Sequence, residues 1–353
     1  QRNFFILLFT IAAQITMGIF APLWGMLADR YGRRLMLLRA NFCNAVIIIL
    51  MAFAPGPWTL VGLRILMGLF TGTVTASQAM IASSVPVERR GIALGMLNSA
   101  LYSGIIAGGF LGGITVDLWG YRAGFFASGS LFLIGGLLIL FFARENFIAP
   151  ASPEKIKLSF KLPDFGSLWL LMAIVIAVAC GSQFDRAYMP LFIQQLHGSL
   201  EGAALWSGII FGVAAGAGVL SGIFMGHLSD RFRAGRVAAV SAGIGALFFV
   251  LEGISNDLYL LMFARAGMVF FAGGTVSVVR IWLAQESPDE QRGAIFGWSA
   301  TASCLGWASA ALLSYATVSL LGLRWIFFCG AIFFALVMIM IWYADRALKR
   351  SDQ

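Results

Sequence analysis

A short pattern occurs twice in this chain, half a chain apart. Gly25-Met-Leu-Ala-Asp29-Arg30-Tyr-Gly32-Arg33-Arg34 returns as Gly226-His-Leu-Ser-Asp230-Arg231-Phe-Arg-Ala-Gly235-Arg236. Gly25 and Gly226 lie 201 positions apart, and Arg64 and Arg265 share that offset. Pro86/Pro288, Arg90/Arg292, Gly91/Gly293, Gly120/Gly322 and Arg122/Arg324 keep an offset of 202. Such a constant spacing means internal duplication. The chain must therefore fold as two like units carrying the same series of elements.

Those elements are membrane helices. The chain is 60% apolar and only 11% charged, where a soluble domain carries about 25% charged residues. Apolar runs long enough to span a bilayer lie at 3–27, 35–54, 58–82, 92–116, 123–143, 167–194, 203–228, 236–254, 258–284, 294–318 and 324–344. Eleven is an odd count for a duplicated chain. The counterpart of 167–194 would fall before residue 1, so the expected architecture is six plus six helices with the first absent from this sequence. The expected domains are an N-terminal bundle over 1–143, a polar linker over 144–166 and a C-terminal bundle over 167–353.

Lys and Arg orient the bundle. One set of loops and the tail holds sixteen of them, including Arg30, Arg33, Arg34, Arg89, Arg90, Lys155, Lys157, Lys161, Arg231, Arg233 and Arg346; the opposite set holds only Arg122 and Arg324. The repeated pattern and the C-terminus are thus expected on the cytoplasmic side; the expected location is the cytoplasmic (inner) membrane, in a bacterium. The +8 net charge follows this topology and does not point to nucleic acid.

Within the repeated loop, Gly25 lets another helix approach closely and Gly32 tolerates the positive φ of a tight turn. Asp29 is acidic where basic charge is favoured. A carboxylate there can pair with an arginine or with a helix N-terminus, in one arrangement of the bundle and not in another. The alternative is a solvated turn, which two matched copies make harder to maintain.

These residues carry a resemblance. Gly25 through Arg34 is similar to the G-x-L-x-D-R-x-G-R-R/K signature of the major facilitator superfamily, and residues 226–236 resemble the degenerate second copy. The resemblance implies an all-α membrane fold of two six-helix bundles around a central cavity, working by alternating access. It also implies a gate role for Gly25, Asp29, Arg30, Gly32, Arg33 and Arg34, and for Gly226, Asp230 and Arg231.

Arg64, Gly68, Thr71, Thr75 and Gln78 are spaced four, three, four and three, on one helical face. An arginine two turns deep should face protein or water. Arg64-x-x-x-Gly68 resembles the family's fourth-helix motif, whose arginine is associated with proton coupling, but departs from it at Met67 and Phe70. Pairing of Arg64 with carbonyls to fix packing is the other reading, and it is the favoured one for Arg265. Gly104-x-x-x-Gly108-Gly109-x-x-Gly112-Gly113 forms a helix groove. It resembles the antiporter signature of drug-efflux members, with Gly109 where the family has proline; ordinary glycine-rich packing is the alternative.

Asp185-Arg186 lies about twenty residues into the segment at 167–194, five before Pro190. The two can neutralise each other near the outer interface, or Asp185 can be a titratable carboxylate at the cavity wall. Glu252 and Asp117, near outer helix ends, read as interfacial.

The expectation is a proton-coupled exporter of amphipathic or lipophilic small molecules, monomeric and without cofactor or metal. Asp185, Arg186 and Arg64 are the proton-coupling candidates. Thr71, Thr75, Gln78 and Gln183 are the substrate-cavity candidates. An uptake carrier for a metabolite, siderophore or cell-wall fragment is the rival within the class. A channel lacks a continuous polar path here, and a non-transporting receptor or assembly protein would ignore the charges. No G-x-x-x-x-G-K-[ST] phosphate loop is present, and no catalytic constellation suggests an enzyme.

Overall fold

A computed structural model describes residues 2–73, 76–77, 80–81, 87–145, 168–286 and 292–351. Eleven helical elements, one of them kinked, run through the described residues. They are α1 (Arg2–Tyr31), α2 (Arg33–Met51), α3 (Pro57–Phe70), α4 (Val87–Phe142), α5 (Leu168–Ser182) and α6 (Met189–His197), followed by α7 (Ala203–Arg231), α8 (Ala234–Ile254), α9 (Leu258–Glu286), α10 (Arg292–Leu321) and α11 (Trp325–Ser351). In hydrocarbon every backbone N–H and C=O must find a partner within the protein, so apolar runs of this length fold as helices.

Eight helices among the described residues are long and apolar enough to cross a membrane. The three remaining expected spans are explained by three local features. The apolar stretch Ser103–Phe142 of α4 is 40 residues long, about twice the length needed to span the hydrocarbon core. It is two helices joined at Gly120, whose φ of 80° and ψ of 171° are not helical. Gly322, its repeat partner, also has a positive φ, 102°, so the duplication is visible in backbone conformation as well as in residue type.

The other two features correct the expected boundaries. The span anticipated over 58–82 is interrupted after Phe70, where Thr71 is extended and Gly72 has a φ of 132°. The span anticipated over 167–194 is broken into α5 and α6 by turns over residues 183–188. Pro190 sits in the first turn of α6, where its missing N–H costs nothing but could not have continued a preceding helix. Through the break, Gln183, Phe184 and Arg186 donate their N–H groups to carbonyls three residues back, and Tyr188 and Met189 both bond the Asp185 carbonyl.

The chain divides into two compact units. The first contains Gln1–Ile11, Ile105–Gly113 and Leu162–Gln353; the second contains Ala12–Gly104 and Ile114–Lys161. In the first unit α9 packs on α5, α7 and α8, while α10 and α11 cover α5 and α11 also covers α8. Leu171, Ile174, Phe249, Leu261, Phe327 and Phe334 are wholly buried at this core. In the second unit α3 lies on α2, and the later part of α4 meets α2 through glycines. A Cβ on Gly135 would stand 3.2 Å from Asn41 Oδ1, and one on Gly136 would stand 3.1 Å from the Phe42 ring. Leu247, Phe141, Phe142, Leu320 and Ile339 remain exposed, as lipid-facing side chains do.

Candidate functional site

The break between α5 and α6 sets Asp185 into the protein interior. The carboxylate is wholly buried, and its Oδ2 accepts a hydrogen bond from Arg265 Nη1 on α9. Glu252, near the end of α8, stands on the same guanidinium, with Oε1 3.5 Å from Nη1. Glu252 is also fully buried, and the Arg265 side chain is 5% exposed. The Arg265 guanidinium carbon lies 5.7 Å from the centre of the Phe211 ring on α7. Asp185 Oδ1, both Glu252 oxygens and Arg265 Nε have no hydrogen-bond partner among the described residues.

Three ionisable groups at this depth are expensive to bury, and an ion pair repays the cost only when its geometry is good. Within the buried cluster one guanidinium faces two carboxylates, while Arg186 beside them is exposed. Irregular backbone at membrane depth occurs where protein covers it or where it lines a cavity. A broken helix, a buried ion pair and an unmatched carboxylate therefore coincide at one place.

This arrangement revises two sequence readings. Asp185 is partnered by Arg265, not by its neighbour Arg186, which is exposed and donates from Nη1 to Gln183 Oε1 at 2.9 Å. Glu252 is closed in by protein. It lies two residues before the end of α8, but Arg265 of α9 stands over it and the neighbouring Gly253 packs on Phe327 and Phe328 of α11, so nearness to a loop along the chain does not bring lateral exposure. Arg265, the repeat partner of Arg64, is the cation at the centre.

The remaining candidates are dispersed. Arg64 on α3 is half-buried, with Nη1 3.1 Å from Met67 Sδ. Thr71 follows α3 and donates its hydroxyl to the Met67 carbonyl at 2.7 Å. Thr75 and Gln78 lie outside the described residues. Gln183 is half-buried within the break, engaged by Arg186.

In the repeated loop, Gly32 has a φ of 93° and precedes α2 without a side-chain cap of its own. The cap comes from Glu145, just beyond α4. Its Oε1 accepts the Arg33 N–H at 3.0 Å and its Oε2 accepts the Arg34 N–H at 2.7 Å. Arg34 Nη2 also donates to the Leu140 carbonyl at 2.6 Å. A carboxylate on a helix N-terminus is favoured both by the free N–H groups and by the helix dipole. Arg30 and Arg231 are exposed; Gly25 and Gly226 lie within α1 and α7, and the side chains of Asp29 and Asp230 lie outside the described ones.

The second copy has a related acid. Asp345 of α11 is 3.5 Å from Arg233 Nε, beside the start of α8. Nothing in the sequence marks either acid except their spacing: Glu145 and Asp345 are 200 positions apart, each beside an arginine. Glu145→Gln keeps the shape but removes the charge. It is expected to cost about 1 kcal/mol of stability, read as a small drop in the melting temperature of the detergent-solubilised protein.

The five glycines of the antiporter-like run separate into two groups. Gly109 and Gly113 meet α7, where Cβ atoms would stand 3.3 Å from the Gly208 carbonyl and 2.7 Å from the Ala204 carbonyl. At Gly104, Gly108 and Gly112 an added Cβ would find nothing within 4 Å.

The profile of the Major Facilitator Superfamily matches residues 2–255 and 219–353. The multi-drug resistance efflux pump PmrA homolog of Lactococcus lactis is 30% identical over 310 residues, covering 87% of this chain and 76% of that protein. The multidrug resistance protein MdtG of Salmonella paratyphi B is 30% identical over 338 residues, covering 94% and 82%. Among solved structures, the nucleoside transporter NupG superposes with a TM-score of 0.79 at 12% identity, over 97% of this chain and 91% of that one. A bacterial homolog of the human lysosomal transporter Spinster gives 0.69 at 13% identity, over 97% and 94%. At such identities these two likenesses concern the fold alone.

Proposed function

Because the chain belongs to the major facilitator superfamily of transporters, we propose that it exports lipophilic or amphipathic small molecules in exchange for protons. Membership makes it a multi-pass membrane transporter of a small-molecule substrate and not an enzyme. The direction of transport is taken from the relatives named above, which are an efflux pump and a resistance protein. Proton coupling rests on one observation: Asp185, wholly buried at a break in its helix, is held by Arg265.

A cluster built on a carboxylate held by a guanidinium can take up or release a proton only when that contact loosens or water reaches it. The broken helix offers a hinge for such a change, since residues 183–188 are joined by single turns and not by a continuous ladder. In this reading the halves 1–143 and 167–353 rock about the cavity in alternating access. The linker 144–166 and the C-terminus lie in the cytoplasm, and the protein works as a monomer. The loop at Gly25–Arg34, together with Asp230 and Arg231, serves as the cytoplasmic gate. Arg64 tunes the field at the cavity, while Thr71, Thr75, Gln78 and Gln183 line it.

Everted membrane vesicles provide the test, with ethidium as the probe. An imposed gradient, acid inside, should drive ethidium accumulation by the wild-type protein, and collapsing the gradient should release it. Asp185→Asn should reduce the driven accumulation to background while leaving the protein folded. Gradient-driven movement in the opposite direction would overturn export, and an unchanged Asp185→Asn variant would overturn the site.

A further inference from the structure

Glu252 shares the buried guanidinium with Asp185 and has no role in the exchange assigned above. We propose that Glu252 is the residue that carries the exchanged proton, with Asp185 acting as the standing counter-ion of Arg265. This rests on the reading of the cluster as the coupling site.

The first support is charge. Arg265 is the buried cation of the cluster and can balance one carboxylate; Arg186, beside Asp185, is exposed and bonded to Gln183, so its charge is shared with solvent. A second ionised carboxylate with no exposure is costly in a low-dielectric interior. A proton on the pair removes that cost in this conformation.

The second support is geometry, which assigns that proton. Asp185 Oδ2 accepts a direct hydrogen bond from Arg265 Nη1, an interaction that requires lone-pair density and suits the ionised form. Glu252 stands 3.5 Å from the same nitrogen, and neither of its oxygens is hydrogen-bonded among the described residues. It is the member of the cluster that loses least by being a neutral acid.

The third support comes from the duplication. With the offset of 201 that relates Arg64 to Arg265, the counterpart of Glu252 is Met51, the last residue of α2. Met51 is 4% exposed. The same helix end is thus built once with a thioether and once with a carboxylic acid of similar length. Packing does not require the acid at this position, so the acid needs another explanation.

The charged groups around Glu252 come from several elements. Arg265 faces it from α9, and Asp185 faces it from the α5–α6 break. Arg186 beside Asp185 is engaged by Gln183. Arg324, just before α11, is held by the Ser255 carbonyl at 3.2 Å and Asn256 Oδ1 at 3.0 Å. Asp257 accepts the N–H groups of Tyr259 and Leu260 at the start of α9. α7 contributes the Phe211 ring over the guanidinium. Release breaks only the Glu252 O–H bond and hands the proton to water, leaving one positive and two negative groups; uptake reverses it.

Two measurements decide the matter. In lipid vesicles, infrared titration of the purified wild-type protein should show a carboxylic-acid C=O band that disappears as pH rises. Glu252→Gln and Glu252→Met should lack that band, while Asp185→Asn should retain it with a displaced midpoint. In the ethidium assay, Glu252→Gln and Glu252→Met should keep gradient-independent counterflow but lose the response to the proton gradient, and Glu252→Asp should restore it. Melting curves check that each variant is folded, and the methionine variant guards against disruption because the duplicate already carries that residue. An unaltered band or a wild-type pH response in Glu252→Gln overturns the proposal. If the wild-type protein shows no gradient-driven ethidium movement, the export reading fails instead, and the infrared band still decides whether Glu252 holds the proton.

Discussion

Arg265→Ala is expected to lower stability by about 3–5 kcal/mol, the cost of removing one partner from a buried ion pair. The guanidinium bonds Asp185 Oδ2 and also stands beside Glu252. Its loss strands the Asp185 carboxylate with no exposure and leaves the Glu252 acid beside it. The variant should melt far below the wild-type protein in detergent or fail to accumulate in the membrane. A compensated variant separates stability from function. Asp185→Asn, Glu252→Met and Arg265→Met together remove every charge from the cluster, and apolar replacement of buried ionic groups is often neutral or stabilising. That triple variant should regain most of the lost stability while proton-driven ethidium transport stays at background. A near-normal melting temperature for Arg265→Ala alone would show that water reaches the cluster and that the site is not desolvated.

The fold is legible in the sequence because the signals that specify it are long and repeated. Apolar runs, loop arginines and a constant offset each extend over the whole chain, and they agree. The breaks are harder to see. Residues 167–194 form an apolar run with little to distinguish a continuous helix from two pieces, and Pro190 is the one local sign. Helical periodicity describes one helix at a time, whereas the ion cluster joins three elements. Asp185 and Arg265 are 80 residues apart, and no spacing rule links them. The apolar face around Arg265 favours a packing role in sequence, yet a residue paired with carboxylates from other helices looks the same. Glu252 reads as interfacial for a related reason: position along the chain gives depth in the membrane but not which neighbours close over a side chain. Glu145 is hidden because its partners are backbone N–H groups, which leave no mark in the residue pattern.

The glycine run yields the other large effect, since contact and resemblance disagree about its members. The signature treats Gly104, Gly108, Gly109, Gly112 and Gly113 as one set. In the structure only Gly109 and Gly113 of the five touch α7, and the approach is backbone to backbone. A side chain at 113 would meet the Ala204 carbonyl at 2.7 Å and Leu205 Cα at 3.1 Å. Neither atom can turn aside as a flexible side chain would, so the helices must separate. Gly113→Val is therefore expected to cost about 1–3 kcal/mol through overpacking and to suppress ethidium export, because a helix pair held apart cannot re-form its small-residue contact. Gly112→Ala and Gly108→Ala enter open space and should change stability by no more than about 0.5 kcal/mol, with export retained. Measuring melting temperature and efflux for the three variants side by side makes the comparison internal. Equal losses at 112 and 113 would mean that the α4–α7 contact is not what the glycines serve; loss at 113 alone ties the run to that single crossing.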